Sequence, residues 1–321
     1  MTATPSRRRT LQLIAAACAC RTTALADPVA SEEPWSQAGL AGTLTLPRNA
    51  PERGPAVLII AGSGPTDRDG NGPLISTDTY RLLAFGLARH GVRSLRYDKR
   101  GVGASAGLVA REEDVRFDHF VADAVAAARD LARRNDVSAL VLAGHSEGGL
   151  IAMRAARELD VAGLVLLAAP GRPLVDILRL QFRTAPLPED LRSEALRVID
   201  ALAAGERVAD VPAELAPVLR ASVQPYLLSM LTIDPRVELA QLAVPALLVY
   251  GGRDLQIPLS HRDALAKARP DVRVVTAATA NHVLKTAPTD RAGNIRAYTD
   301  RTLPLDPGIL PPIVLFVGEL R

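Results

Sequence analysis

Cysteine is nearly absent from this chain of 321 residues, and Cys18 and Cys20 both lie near its start. From residue 27 onward no thiol remains for a disulfide or a thiolate metal site. A strong charge of one sign is lacking too, because four of the 38 basic residues and none of the 35 acidic ones precede residue 27, which leaves a balance of −1. With 3% aromatic residues and no clustered basic patch, we expect no nucleic-acid partner.

The first 26 residues contain an apolar run, Leu11 to Cys20, that is far shorter than the roughly 20 residues needed to span a bilayer. Three consecutive arginines precede the run, and Ala24-Leu25-Ala26 follows it as a small-x-small cleavage pattern. This order predicts that residues 1–26 are a cleaved export signal, for which the adjacent arginines also allow the twin-arginine route. We therefore expect a periplasmic or secreted protein without stable membrane insertion.

The stretch from Ser138 to Ala156 reads as a strand, a sharp turn and a helix. Its first part is continuously apolar, as in a central parallel strand covered on both faces. The turn, Gly144 to Gly148, fits the Gly-x-Ser-x-Gly nucleophile elbow, which raises a serine hydroxyl above the sheet. We predict Ser146 as a nucleophile and the backbone N–H of Glu147 as one oxyanion donor. A glycine-rich turn without chemistry is the alternative.

A long polar loop, residues 61–72, follows the predicted buried strand 56–60. Loops of this kind at the carboxyl end of a strand are often functional, so we predict the second oxyanion donor here, at the N–H of Ser63 or, second, of Gly64. A calcium loop is the rival interpretation, although an EF-hand needs an entering helix. The expected role of the loop acids is turn capping and pairing with Arg68 or Arg100. The calcium-like positions are Asp67, Asp69, Asn71, Gly72 and Asp78.

Alternating strands and helices divide the remaining chain into three predicted parts. After a proline-containing leader, residues 27–36, an edge strand is expected at Leu40 to Leu46, and the alternation continues to residue 168. Residues 169–242 read instead as helices broken by prolines, which predicts a cap over the strand ends. The alternation resumes in 243–321. The predicted domains are thus an α/β core, 27–168 and 243–321, and a cap insertion, 169–242.

A serine nucleophile needs a base, and the base needs a carboxylate to orient it. Of the five histidines, His282 alone lies in a late loop after the last predicted core strand, and Asp254 lies just past a strand in a Gly-Gly-x-Asp turn. The order Ser146, Asp254, His282 is the order of the α/β-hydrolase triad. The acid could instead come from Asp98, Asp263 or Asp271.

Four segments together resemble bacterial carboxylesterases whose domain is called serine-aminopeptidase-like, or S33-type, within the α/β-hydrolase superfamily. The resemblance covers nearly all of the chain after the export signal. It implies a doubly wound, mostly parallel, eight-stranded sheet with a helical cap between late core strands, and the roles nucleophile, acid and base for Ser146, Asp254 and His282. The four segments are 62–71, 96–105, 144–149 and 281–285.

The expected function is that of an exported serine carboxylesterase that hydrolyses small short-chain acyl esters through an acyl-enzyme. No metal, flavin or nucleotide is expected, and the loop 62–72 lacks the Lys-Ser/Thr ending of a phosphate-binding loop. A peptidase or amidase with the same triad is the main alternative, in which Glu147 or the loop acids would hold a substrate amine. A scaffold that binds a hydrophobic ligand under the cap is a third possibility.

Overall fold

The computed structural model describes residues 29–320. The predicted export signal, residues 1–26, lies outside them. An eight-stranded sheet forms the centre of the molecule. Its strands in chain order are β1 (Ala30–Gln37), β2 (Leu40–Pro47), β3 (Gly54–Ile60), β4 (Arg93–Tyr97), β5 (Val137–His145), β6 (Gly163–Leu167), β7 (Ala246–Gly251) and β8 (Arg273–Ala277).

The strands follow one another across the sheet in the order β1-β2-β4-β3-β5-β6-β7-β8. The pairs β1/β2 and β2/β4 are antiparallel, and every other neighbouring pair is parallel. The parallel strands therefore end at the same edge, where loops from several strands converge. The predicted mostly parallel, doubly wound sheet is confirmed.

The antiparallel end of the sheet differs from the sequence prediction. The supposed leader 27–36 overlaps β1, and β2 lies between β1 and β4 rather than at the edge. The prediction failed because β1 carries two glutamates and Pro34. These residues suit an exposed edge strand, but they leave no alternation of apolar and polar residues that would predict a strand. Trp35 packs against the core, and its indole N–H donates to Asp130 Oδ2 at 2.7 Å.

Helices cover both faces of the sheet. On one face the helices Thr79–Ala88 and Leu310–Glu319 pack over Val57, Val141 and Val165, whereas the helices Phe117–Ala132, Glu147–Ala155 and Leu259–Ala268 pack over the opposite face. The pleat of β5 explains this, since Leu140 and Leu142 join one cluster and Val141 joins the other. These core helices are α1 (Thr79–Ala88), α2 (Phe117–Ala132), α3 (Glu147–Ala155), α9 (Leu259–Ala268), α10 (Arg291–Arg296) and α11 (Leu310–Glu319).

Between β6 and β7 the chain is helical, as the fold prediction required. Its helices bury an apolar cluster of their own, separate from the two sheet clusters, and this makes the insertion a distinct layer above the strand ends. The boundaries 169 and 242 remain a prediction. The helices of the cap are α4 (Leu174–Thr184), α5 (Glu189–Ala203), α6 (Ala216–Leu219), α7 (Gln224–Leu228) and α8 (Pro235–Ala240).

Within residues 29–320, none of the helices combines the length and the apolar character that crossing a membrane would require.

Candidate active site

The turn between β5 and α3 holds Ser146 in a strained backbone conformation, with φ 53° and ψ −124°. Non-glycine residues rarely adopt positive φ, and the strain is stabilised by the surrounding packing. Ser146 N donates to Leu167 O at 2.8 Å. A Cβ at Gly144 would lie 2.1 Å from the Gly148 carbonyl oxygen, and one at Gly148 would lie 2.3 Å from that of Ile60. Both glycines of the elbow are therefore required by close backbone contacts.

The predicted acid and base contact each other. His282 Nδ1 lies 2.8 Å from Asp254 Oδ2, and both side chains are almost completely buried. Asp254 Oδ1 accepts hydrogen bonds from the backbone N–H groups of Gln256 and Ile257. Burial alone would raise the pKa of Asp254, but His282 and these N–H groups outweigh it and lower the pKa. The carboxylate is thus held ionised toward the imidazole.

His282 and Ser146 line the same cavity of about 70 Å³, together with Ser63. The structure therefore gathers the three residues of the predicted triad at the carboxyl edge of the sheet. The loop of His282 is a tight turn in which Asn281 Oδ1 accepts from Lys285 N and Leu284 has φ 61°. Lys285 is fully buried and donates its ammonium to the carbonyl of Leu303. Burial lowers the pKa of Lys285 to about 8.

The rival acids lie in other interactions. Asp98 accepts from the Arg68 guanidinium at 2.6 Å and from Ala104 N at 2.9 Å. Asp263 pairs with the adjacent Arg262, and Asp271 is exposed beside Arg269. Each of these carboxylates is thus paired with an arginine, and the contact with His282 comes from Asp254.

His145, which precedes the nucleophile, connects the two sides of the site. Its Nε2 lies 2.8 Å from the carbonyl oxygen of His282, so that nitrogen carries the proton. Nδ1 then accepts from the Tyr80 hydroxyl at 2.8 Å, and the Tyr80 oxygen accepts from Gly62 N at 3.0 Å. Burial, with the nearby His282, lowers the pKa of His145 to about 3, which keeps the ring neutral. The chain of bonds fixes the loop of Gly62 relative to that of His282.

The loop 61–72 lies against the nucleophile. A Cβ at Gly62 would be 3.1 Å from the Ser146 Cβ. Ser63 lines both cavities that Ser146 lines, whereas Gly64 lines a neighbouring cavity of about 500 Å³. Glu147 begins α3, and its N–H is therefore a first-turn donor beside Ser146.

The acidic residues of that loop are used inside it. Asp67 Oδ1 accepts from Asp69 N and Asn71 N, while Asn71 bonds Asp78. The expected arginine partners were wrong, because Asp69 pairs with Arg96, while Arg68 pairs with Asp98 and Arg100 with Asp123. In the part of the chain that the structure describes, no group of three His, Cys, Asp or Glu side chains is placed to hold a metal ion.

A second cavity, of about 260 Å³, opens from Ser146 toward the cap. Apolar side chains from α3, α4 and the neighbouring loops form most of its wall. Gln181 and Arg172 are among its polar lining residues. Among residues 29–320, Glu147 is the one carboxylate that lines either cavity next to Ser146. The apolar lining residues include Leu150, Leu174, Ile177, Leu178, Met230 and Ile257.

Sequence reasoning missed Tyr80 and Lys99. Tyr80 lies on the apolar face of α1, where an aromatic reads as ordinary core, although its hydroxyl bonds Gly62 and His145. Lys99 stands between Asp98 and Arg100 in the loop that follows β4. Its burial beside Gly62 depends on the packing of β4 against β3, which no local pattern reveals.

Comparison with known proteins gives matches in sequence and in structure. Residues 72–212 match the family model described as serine aminopeptidase, S33. The chain is 30% identical over 257 residues to the esterase EstD of Thermotoga maritima, an alignment that covers 77% of this chain and 58% of EstD. The chain thus spans less than two thirds of that relative.

Two solved structures have a similar fold at low sequence identity. Est1E from Butyrivibrio proteoclasticus, solved with ferulic acid, superposes with a TM-score of 0.56 at 20% identity, covering 89% of this chain and 96% of that one. The α/β-hydrolase GrgF from Penicillium sp. sh18 gives 0.51 at 19% identity, covering 79% and 91%. Together with the sheet and the elbow, these similarities show that the chain has the α/β-hydrolase fold, and residues 72–212 resemble the serine aminopeptidase S33 family.

Proposed function

We propose that the chain is an exported serine carboxylesterase that hydrolyses small esters of short acyl groups. The observation that carries the proposal is the hydrogen bond between His282 Nδ1 and Asp254 Oδ2 beside the strained Ser146. The similarity to an esterase supports the reaction class. Export rests on the sequence pattern of residues 1–26.

In the proposed mechanism Ser146 attacks the ester carbonyl while His282 Nε2 takes the hydroxyl proton. Asp254 holds the Nδ1 proton, so that Nε2 is the free base. The tetrahedral intermediate expels the alcohol, which receives the proton from His282, and leaves an acyl-serine. Water, activated by the same imidazole, then releases the carboxylic acid and restores Ser146.

The negative charge of the tetrahedral intermediate needs donors aimed at the former carbonyl oxygen. The N–H of Glu147 at the start of α3 and the N–H of Ser63 are the proposed pair, with Gly64 as the next candidate. Ser63 is preferred because it lines both cavities next to Ser146. This pair requires no cofactor.

The two cavities support an assignment of the two halves of the ester. The leaving alcohol must be near His282, which lines the cavity of about 70 Å³. The acyl group is then assigned to the cavity of about 260 Å³, which His282 does not line. Its volume is below the roughly 300–1,000 Å³ of pockets for drug-sized ligands, which favours short acyl chains.

The first test is hydrolysis of p-nitrophenyl esters, from acetate to palmitate, by protein that lacks residues 1–26. We expect activity on the short chains that falls steeply as the acyl group outgrows the apolar cavity. Rates that are equal for acetate and palmitate would contradict the assignment of the acyl site. The absence of turnover on every ester would contradict the esterase proposal itself.

Filling the acyl cavity should shorten the accepted chain. Ile177 on α4 lines this cavity, and Ile177→Trp should reduce kcat/KM for hexanoate by about 10-fold or more while acetate stays within about threefold. The matched control is Leu180→Trp, since Leu180 lies on the same helix and is 54% exposed. The chain-length profile of both variants decides the point. An unchanged hexanoate-to-acetate ratio in Ile177→Trp would place the acyl group elsewhere.

A serine aminopeptidase is the second candidate, and the position of Glu147 favours it. This carboxylate lines the acyl-side cavity, where the amine of an aminoacyl substrate would lie. Glu147 already interacts with Tyr226, however. Burial, and then the charge of Glu147 and its hydrogen bond to the hydroxyl, raise the pKa of Tyr226. An aminoacyl p-nitroanilide panel separates the candidates. Preference for anilides, lost in Glu147→Gln while ester hydrolysis persists, would favour the peptidase.

A further inference from the structure

The ammonium of Lys99 lies in the interior beside Gly62, the residue whose backbone lies against the nucleophile. Lys99 follows β4, is 3% exposed, and donates to the carbonyl oxygen of Gly62. Its ammonium also lies 5.6 Å from the centre of the Phe120 ring. Within residues 29–320, no carboxylate oxygen comes within ion-pair distance of this nitrogen. Lysine is rare here, three of the 38 basic residues, so a compact cation at this buried position calls for an explanation.

The contact matters because the Gly62 carbonyl and the Ser63 N–H belong to one peptide group. A cation bound to the carbonyl polarises the amide and makes its N–H a stronger donor. The same positive charge lies across the peptide from the place where the substrate oxygen becomes negative, in surroundings of low dielectric. A neutral side chain could fill the space but could not supply this charge.

Gly62 is fixed on both sides. Its N–H donates to the Tyr80 hydroxyl at 3.0 Å, its carbonyl accepts from Lys99, and a Cβ there would lie 3.1 Å from the Ser146 Cβ. The peptide therefore has little freedom to rotate relative to the nucleophile. Burial lowers the pKa of Lys99, and Glu147 opposes this by favouring the charged form. Burying an ammonium is costly unless it is compensated.

We propose that Lys99 is a positioning residue of the oxyanion hole, whose ammonium directs and strengthens the Ser63 N–H through the Gly62 carbonyl. The inference rests on the proposed serine hydrolase function. It does not place Lys99 in contact with the substrate. Its effect appears only when the carbonyl oxygen gains charge, so it acts on kcat and not on substrate binding.

The test compares Lys99→Met with wild-type protein on the best p-nitrophenyl ester, with active sites counted by fluorophosphonate labelling. We expect kcat per active site to fall by about 10- to 100-fold, less than the loss of a whole oxyanion donor, with KM within about threefold. The inhibition constant of a trifluoromethyl ketone, which forms a tetrahedral oxyanion on serine, should rise by the same factor. Lys99→Gln keeps a hydrogen-bond donor without the charge, so its kcat per active site should lie between those of wild type and Lys99→Met.

The matched control is Arg269→Met. Arg269 is also a buried cation that donates to a backbone carbonyl, Val244 O, but at the amino end of β7. We expect a lower Tm and an unchanged kcat per active site. Should Lys99→Met not fold, the same comparison is made with Lys99→Gln.

The outcomes separate this inference from the proposed function. A wild-type protein that neither hydrolyses esters nor reacts with fluorophosphonate would contradict both. Normal wild-type activity with an unchanged kcat per active site in the Lys99 variants would overturn the positioning role alone. A change confined to KM, or to the number of labelled sites, would also overturn it, because either result describes substrate binding or stability.

Discussion

Replacement of Ser146 by alanine should lower kcat by about 10⁴- to 10⁶-fold, because the acyl-enzyme can no longer form. The backbone is expected to keep its strained turn, because the hydroxyl does not stabilise it. The hydrogen bond from Ser146 N to Leu167 O and the close backbone contacts of the two glycines do. The residual rate would come from the oxyanion donors and from substrate positioning. The measurement is p-nitrophenyl acetate turnover by purified protein.

Two controls make the Ser146→Ala result specific. Ser260→Ala changes an exposed serine on α9 and should behave as wild type. Fluorophosphonate should add one label to wild type and to Ser260→Ala and none to Ser146→Ala. A purified Ser146→Ala protein that retained a tenth of the wild-type rate would remove Ser146 from the mechanism and return the elbow to a turn without chemistry.

The sequence predicted the fold because the fold depends on strong local patterns, and the same patterns gave the candidate site residues, whose catalytic roles stay predictions. A continuous apolar run ending in Gly144 to Gly148 allows few structures, and the order of nucleophile, acid and base then selects Asp254 and His282. The edge strand β1 was missed since its exposed residues and Pro34 carry no alternation that burial would impose.

The residues that sequence reasoning did not find act through other residues. Tyr80 and His145 form a hydrogen-bond chain between Gly62 and the backbone of His282. Lys99 meets Gly62 across 37 residues of sequence. Such partners are brought together by strand pairing and helix packing, so the sequence shows their residue types but not their contacts. The loop acids were assigned to Arg68 and Arg100 for the same reason, when Asp69 in fact reaches Arg96 on β4.

The second large effect is expected at Asp254. Asp254→Asn keeps the size of the side chain but can present an amide N–H to His282 Nδ1, which then becomes the acceptor. The imidazole would carry its proton on Nε2, the atom that must take the proton of Ser146. We expect kcat to fall by about 10⁴-fold with a small change in KM, because the base is in the wrong tautomer.

In the proposed mechanism the charge of Asp254 also matters, since it would stabilise the imidazolium that forms during each proton transfer. The lowered pKa of this carboxylate means that it stays ionised at acidic pH, where an unperturbed aspartate would begin to take up a proton. A fall in wild-type activity at acidic pH would therefore reflect protonation of a group other than Asp254. Rates of acylation and of deacylation should both fall in Asp254→Asn, because His282 serves as base in each half of the reaction.

The control for Asp254→Asn is Asp263→Asn, since Asp263 is the rival acid on α9 and is 63% exposed at its side chain. It should leave kcat unchanged. If Asp263→Asn instead lost activity while Asp254→Asn kept it, the acid would have been misassigned. If both kept it, His282 would need no carboxylate, and the hydrogen bond of 2.8 Å to Asp254 would serve only to hold the loops after β7 and β8 together.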